Sequence, residues 1–157
     1  MATESLAVAL EREHREIDEG IAEFTAALAA GVVEADPLLR ASQALRRHIY
    51  LEERFLLPPL REAGFAAPVF VMLREHGQIW RTLDTLDSQV ASGADPATLH
   101  QTCRELEVQL QHHNLKEERI LYPQSDHVLT ETAQSELRDF LEKGHLPDGW
   151  VCERASS

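Results

Sequence analysis

The stretch that runs from His48 through Glu52 to Pro58 returns, 65 residues later, as His113 through Glu117 to Pro123, on the shared pattern H-x-x-x-E-E-R-x-L-x-P. On a helix, residues four apart share a face, with Cβ atoms about 5–6 Å apart. A neutral imidazole and a carboxylate at that spacing can grip one metal ion. A lone H-x-x-x-E is weak evidence, but here the flanks repeat as well. A second element repeats too. Arg12-Glu13-His14 followed by Ile17 returns as Arg74-Glu75-His76 followed by Ile79, 62 residues on. The candidate donors therefore fall in the order His14, His48 with Glu52, His76, and His113 with Glu117.

Four helices must position these side chains. Leu6, Leu10, His14, Ile17, Ile21, Phe24 and Leu28 recur at spacings of three and four, predicting a first helix over about residues 3–30 that Gly31 stops. Asp36-Pro37 opens a second helix whose stripe is Leu38, Ala41, Leu45, His48, Glu52 and Phe55, with Pro58-Pro59 as its end. A third begins at Pro68, carries Val69, Met72, His76, Ile79, Leu83, Leu86 and Val90 inward, and closes at Gly93. Asp95-Pro96 opens a fourth with Leu99, Cys103, Leu106, Leu110, His113, Glu117 and Ile120, ended by Pro123. A short fifth helix is predicted from Thr130 to Lys143, followed by an irregular tail whose Trp150 docks on the bundle. The expected fold is all-α: an up-down-up-down antiparallel four-helix bundle with a short C-terminal helix. The expected organisation is a single domain over 1–157, with the bundle at about 3–123 and the C-terminal helix and tail at 124–157.

Burial makes the donor series chemically meaningful. Each of the four stripes carries a histidine, and two also carry a glutamate where the period calls for leucine. A buried carboxylate is costly unless it is paired or metal-bound. Two acids in one small core also repel each other, and burial alone would favour their protonated forms. A pair of cations offsets both costs. With a rise of about 1.5 Å per residue, His14 and His76 near mid-helix can meet His48 and His113 at one level. His112 points about 100° away from His113 on a helix and reads as a surface residue, as do His100, His127 and His145. Glu13, Glu53, Glu75 and Glu118 each neighbour a candidate donor. They read as solvated or paired with arginine, with one able to support a ligand from behind.

Composition excludes several classes of function. Hydrophobic residues make up 43% and charged residues 27% of 157, as in ordinary globular chains. A net charge of −12 argues against nucleic acid or an anionic membrane as partner. No apolar run approaches the ~20 residues that span a bilayer, and the first residues lack the pattern of a signal peptide. Cys103 and Cys152 are too few for a disulfide framework; they read as a small buried residue and a tail thiol in a reducing cytoplasm.

The donor series resembles the hemerythrin-like, or HHE cation-binding, family, over about residues 5–124. The resemblance implies a non-heme di-iron centre in a four-helix bundle: two iron ions bridged by oxide or hydroxide and by carboxylates. It implies His14, His48, His76 and His113 as terminal ligands and Glu52 and Glu117 as bridges. Oxygen-carrying hemerythrins have a second histidine four residues after that of the third helix, where this chain has Trp80. They also space their last His and acid by five, with Asp; here Glu117 lies four from His113 and five from His112. The sequence thus resembles the four-His, two-Glu branch. Ferritin-like di-iron proteins instead use E-x-x-H on two helices. Glu11-x-x-His14 fits that pattern, but Leu73 stands in the matching place before His76.

The resemblance implies a protein that binds, senses or reacts with O₂ or a related diatomic or peroxide ligand. A peroxide- or nitric oxide-consuming enzyme and an iron-handling protein are alternatives. His and carboxylate donors by themselves also suit zinc.

Overall fold

The computed structural model describes residues 4–156. Residue 3, where the first stripe predicts a helix start, lies outside the described residues. The Ser5 hydroxyl caps α1 (Leu6–Ala29) by accepting the Val8 N–H, one of the donors that a helix start leaves free. α1 buries Leu6, Leu10, His14, Ile17, Ile21, Phe24 and Leu28, the predicted stripe. Gly31, at φ 79°, turns the chain out of it. α2 (Ala35–Leu51) starts just before the expected Asp36 cap; Glu34 holds that position without a side-chain bond, and Asp36 lies in the first turn. α4 (Ala66–Ala91) begins ahead of Pro68. Asp95 caps α5 (Pro96–Lys116), accepting the Thr98 N–H at 2.8 Å, as the Asp-Pro start predicts.

The two repeated segments depart from the expected ending at proline. After Leu51 the helix widens into a π turn over Glu52–Leu56 and continues as α3 (Leu57–Glu62). After Lys116 it widens over Glu117–Leu121 and continues as α6 (Tyr122–Val128). In each turn an N–H reaches five residues back, Leu57 to the Glu52 carbonyl and Tyr122 to the Glu117 carbonyl. Pro58 and Pro123 then fall in the first turn of the new segment, where a missing N–H costs little. The wider turn also resets the buried face. Ile120, predicted inward, is exposed, while Leu121 and Tyr122 are buried. Phe55 is half-buried, while Leu56 and Leu57 are buried.

All regular structure among the described residues is helical, and the long helices form a bundle. α1 packs against α2 and α5, and α4 packs against α5 and α2. Thr130 caps α7 (Glu131–Lys143) through the Ala133 N–H, and α7 lies against α2 and the π turn that follows it. The tail returns to the bundle. Trp150 sits edge-on to Trp80 and Tyr50, with ring centroids 5.5 and 5.0 Å away. Cys152, read from sequence as a tail thiol, is buried in the core. Two apolar clusters result, one around Ile17, Phe24, Leu83 and Leu106, the other around Leu6, Leu51, Met72 and Tyr122. His14 lies on α1 between Leu10 of one cluster and Ile17 of the other.

Candidate metal centre

Glu52 and Glu117 stand at the first positions of the two π turns and have no exposed surface. Leucine at either place would gain about 1.5–3 kcal/mol from burial. The acids forgo that gain and add a desolvation cost, so the arrangement asks for a positive partner. The structure brings all six predicted donors together. His14, His48, Glu52 and Glu117 present ligand atoms within 4.8 Å of one another, as do Glu52, His76, His113 and Glu117. Both acids belong to both sets. The Glu52 carboxylate faces both ways, with Oε2 3.2 Å from His48 Nε2 and Oε1 3.0 Å from His76 Nε2. Glu117 Oε1 lies 3.2 Å from both His14 Nε2 and His113 Nε2. Its Oε2 is buried and has no hydrogen-bond partner. An orphaned buried carboxylate oxygen on an acid grouped with inward imidazole nitrogens suits a divalent cation, and two groups that share their acids suit two.

Behind the donors stands a ring of outer carboxylates. Each histidine turns Nε2 inward and sets Nδ1 against a glutamate from another helix: His14 on Glu118 at 2.8 Å, His48 on Glu13 at 2.8 Å, His76 on Glu53 at 2.7 Å, His113 on Glu75 at 3.0 Å. Such a partner fixes ring orientation and makes Nε2 a better donor. These four acids were expected to be solvated or paired with arginine. Glu13 does pair with Arg47, but all four, and not one, stand behind a histidine, because the helices bring them across the bundle. Three have a further anchor: Arg47 on Glu13 at 3.0 Å, Lys116 on Glu75, and the Glu153 N–H on Glu53 at 3.0 Å. The signal was available in the repeats, since Glu13 and Glu75 precede His14 and His76, while Glu53 and Glu118 follow Glu52 and Glu117.

Tyr122 is the residue that the sequence reading missed. Its hydroxyl donates to Glu52 Oε2 at 2.5 Å and lies 2.9 Å from His14 Nε2, 3.0 Å from His48 Nε2 and 3.2 Å from Glu117 Oε1. On a regular helix a residue five after Glu117 points about 140° away. The π turn, closing on the fifth residue, returns it to the same face.

Without metal the site is an ion-pair network. Burial pushes the Glu52 carboxyl up, but the His48 imidazolium and hydrogen bonds from His48 and His76 outweigh it and hold the group well below the usual range. The expectation that burial would keep it protonated is overturned. Burial lowers His48, yet the Glu52 and Glu13 carboxylates raise it well above normal. His113, also opposed by burial, is raised to about 10 by Glu117 and Glu75. Burial opposes Glu75 as well, but His113 and Lys116 bring it to about 2. Burial pushes the Tyr122 phenol well up, and the Glu117 and Glu52 carboxylates add to that.

His112 is exposed while His113 is buried, as the stripe predicts. His100, His127 and His145 are exposed. Trp80 is buried with its ring edge-on to Trp150 and under the Arg46 guanidinium, 4.6 Å from the ring centre.

A family model described as Hemerythrin HHE cation binding domain matches residues 5–125 of the chain. No curated protein and no solved structure matches it.

Proposed function

The chain belongs to the hemerythrin HHE cation-binding domain family, and from that premise we propose that it holds two iron ions and binds, senses or reacts with O₂ or a related small molecule. The observation that carries this reading is the pair of four-donor sets sharing Glu52 and Glu117. Within it His14, His48, His76 and His113 are the terminal ligands and the two glutamates are the bridges. When bound, a di-iron pair supplies two redox-active Lewis acids at which a diatomic or peroxide ligand is held. The chain's own part is positional. Outer carboxylates fix the four rings, and apolar clusters on either side keep water out. We place the four long helices in up-down-up-down antiparallel order, supported by the short connections between them. A reducing cytoplasm belongs to the same proposal, supported by two buried free thiols.

Consumption of peroxide or nitric oxide is the second reading. It is favoured by Trp80, which leaves α4 a single imidazole, His76, in the centre. Donors that are 0–3% exposed suit retention of iron better than its donation. The test is metal analysis with visible spectroscopy on protein purified in air. Two irons per chain and a ligand-to-iron band that bleaches on reduction and returns with O₂ are expected. A colourless protein loaded only with zinc would overturn the iron reading. Turnover of added peroxide would select the second reading over reversible binding.

A further inference from the structure

The internal repeat makes the two halves of the centre alike in every donor named so far. The His14 and His48 rings lie 4.8 Å apart between centroids, and the His76 and His113 rings 4.9 Å. Each half shares Glu52 and Glu117. The repeat breaks at one buried position beside the site. In H-x-x-x-E-E-R-x-L-x-P, the residue before the proline is Leu57 in the first copy and Tyr122 in the second. Both follow a π turn and both are buried, but only one carries an oxygen. That oxygen touches Nε2 of both histidines of the first half and both shared acids, and it touches neither His76 nor His113.

We propose that Tyr122 is a fifth protein ligand to the ion held by His14 and His48, so that the centre is unsymmetrical and the ion at His76 and His113 has no counterpart to it. The inference rests on the two-ion reading above. On ligation the phenol O–H bond breaks, its proton leaves to solvent, and the oxygen binds the ion; no electron moves. Every hydroxyl contact that the structure gives Tyr122 goes to a donor of that half or to a shared bridge, so the oxygen already faces the ion's position. A purely packing role would be served by phenylalanine, or by leucine as in the first copy.

The chain has two tyrosines, Tyr50 and Tyr122, which makes the test direct. Metal-free protein is titrated with zinc(II), which is colourless, while bound zinc is counted and the ultraviolet tyrosinate difference band recorded. The expected result is two zinc ions and one tyrosinate per chain, unchanged in Tyr50→Phe and lost in Tyr122→Phe. If Tyr122→Phe does not fold, the wild type and Tyr50→Phe still decide, since only Tyr122 then remains to ionise. Two zinc ions without tyrosinate would overturn the ligation and leave the two-ion reading standing. Fewer than two zinc ions per chain in the wild type would overturn that reading, and the inference with it.

Discussion

The two halves of the centre carry the same donors but are held by different parts of the chain. On the His14 and His48 side, Glu13 is fixed by Arg47, whose guanidinium also donates to carbonyls at the end of α7, including Gly144 O at 3.0 Å. Tyr122 adds its hydroxyl there. On the His76 and His113 side, Glu53 accepts from the tail at Glu153, and Arg81 ties the tail to α4 through the Arg154 carbonyl at 2.9 Å. Duplicated segments thus supply matching histidines and glutamates, while the one buried break in the repeat, Tyr122, and the unduplicated tail make the halves different. An exchange of the histidines between halves would be chemically neutral; an exchange of Tyr122 or of the supports would not.

The sharpest way to break the comparison is to remove a shared acid. Glu52→Ala and Glu117→Ala should each abolish two-ion loading, because each strikes both halves. His14→Ala and His76→Ala should each leave one ion in the opposite half. Counting metal per chain checks this, and two ions retained in either glutamate variant would refute the shared role.

The metal-free protein offers a test without any ion. His113, raised from 6.5 to about 10, contributes stability that is complete below pH 6.5 and is lost as pH climbs toward 10. Glu75, lowered from 4.5 to about 2, contributes stability present above 4.5 and lost as pH falls toward 2. The apo form should therefore be most stable between those limits. Metal takes the place of protons on the histidines, so the gap between melting curves with and without chelator should widen by a few kcal/mol as pH climbs from 6.5 toward about 10. A gap that does not change with pH would contradict the ion-pair network.

Removing an outer carboxylate's charge should act on one half at a time. Glu53→Gln should weaken ion binding at His76 about 10–100-fold. Glu118→Gln should fall at the low end of that range at His14. Glu118 lines an open groove with Asp18 and Glu107, and it shows no second anchor among the described residues. Isothermal titration of each variant distinguishes the two, and equal losses would mean that the anchors add nothing.

The smallest effect concerns the tail. A Cβ on Gly77 would lie 2.2 Å from the Arg154 carbonyl oxygen, so this glycine is what lets the tail lie on α4 beside His76. Gly77→Ala should cost about 1–3 kcal/mol, read as a lowered melting temperature. It should loosen the ion at His76 and His113 and spare the one at His14 and His48. Equal weakening of both would show that the tail stabilises the bundle as a whole.

Much of this was legible in the chain before folding. The stripes of α1, α4 and α5 placed His14, His76 and His113 inward, and the H-x-x-x-E spacing selected Glu52, Glu117 and His113 over His112. These features depend on a local period of 3.6, which a sequence displays directly. Ile120 went wrong for the same reason, because the period changes at the π turn and carries the inward face on to Leu121 and Tyr122.

The sequence by itself determined an all-helical chain, its six inward donors and their duplication. Only the tertiary structure decided which side chains stand behind and beside them. Glu13, Glu53, Glu75 and Glu118 find their histidines on other helices, and Tyr122 enters the site through a change of helical pitch. The tail reaches Glu53 across 100 residues of chain. Periodicity is a property of one segment, whereas orientation behind a ligand depends on how segments meet, and no single stripe carries that information.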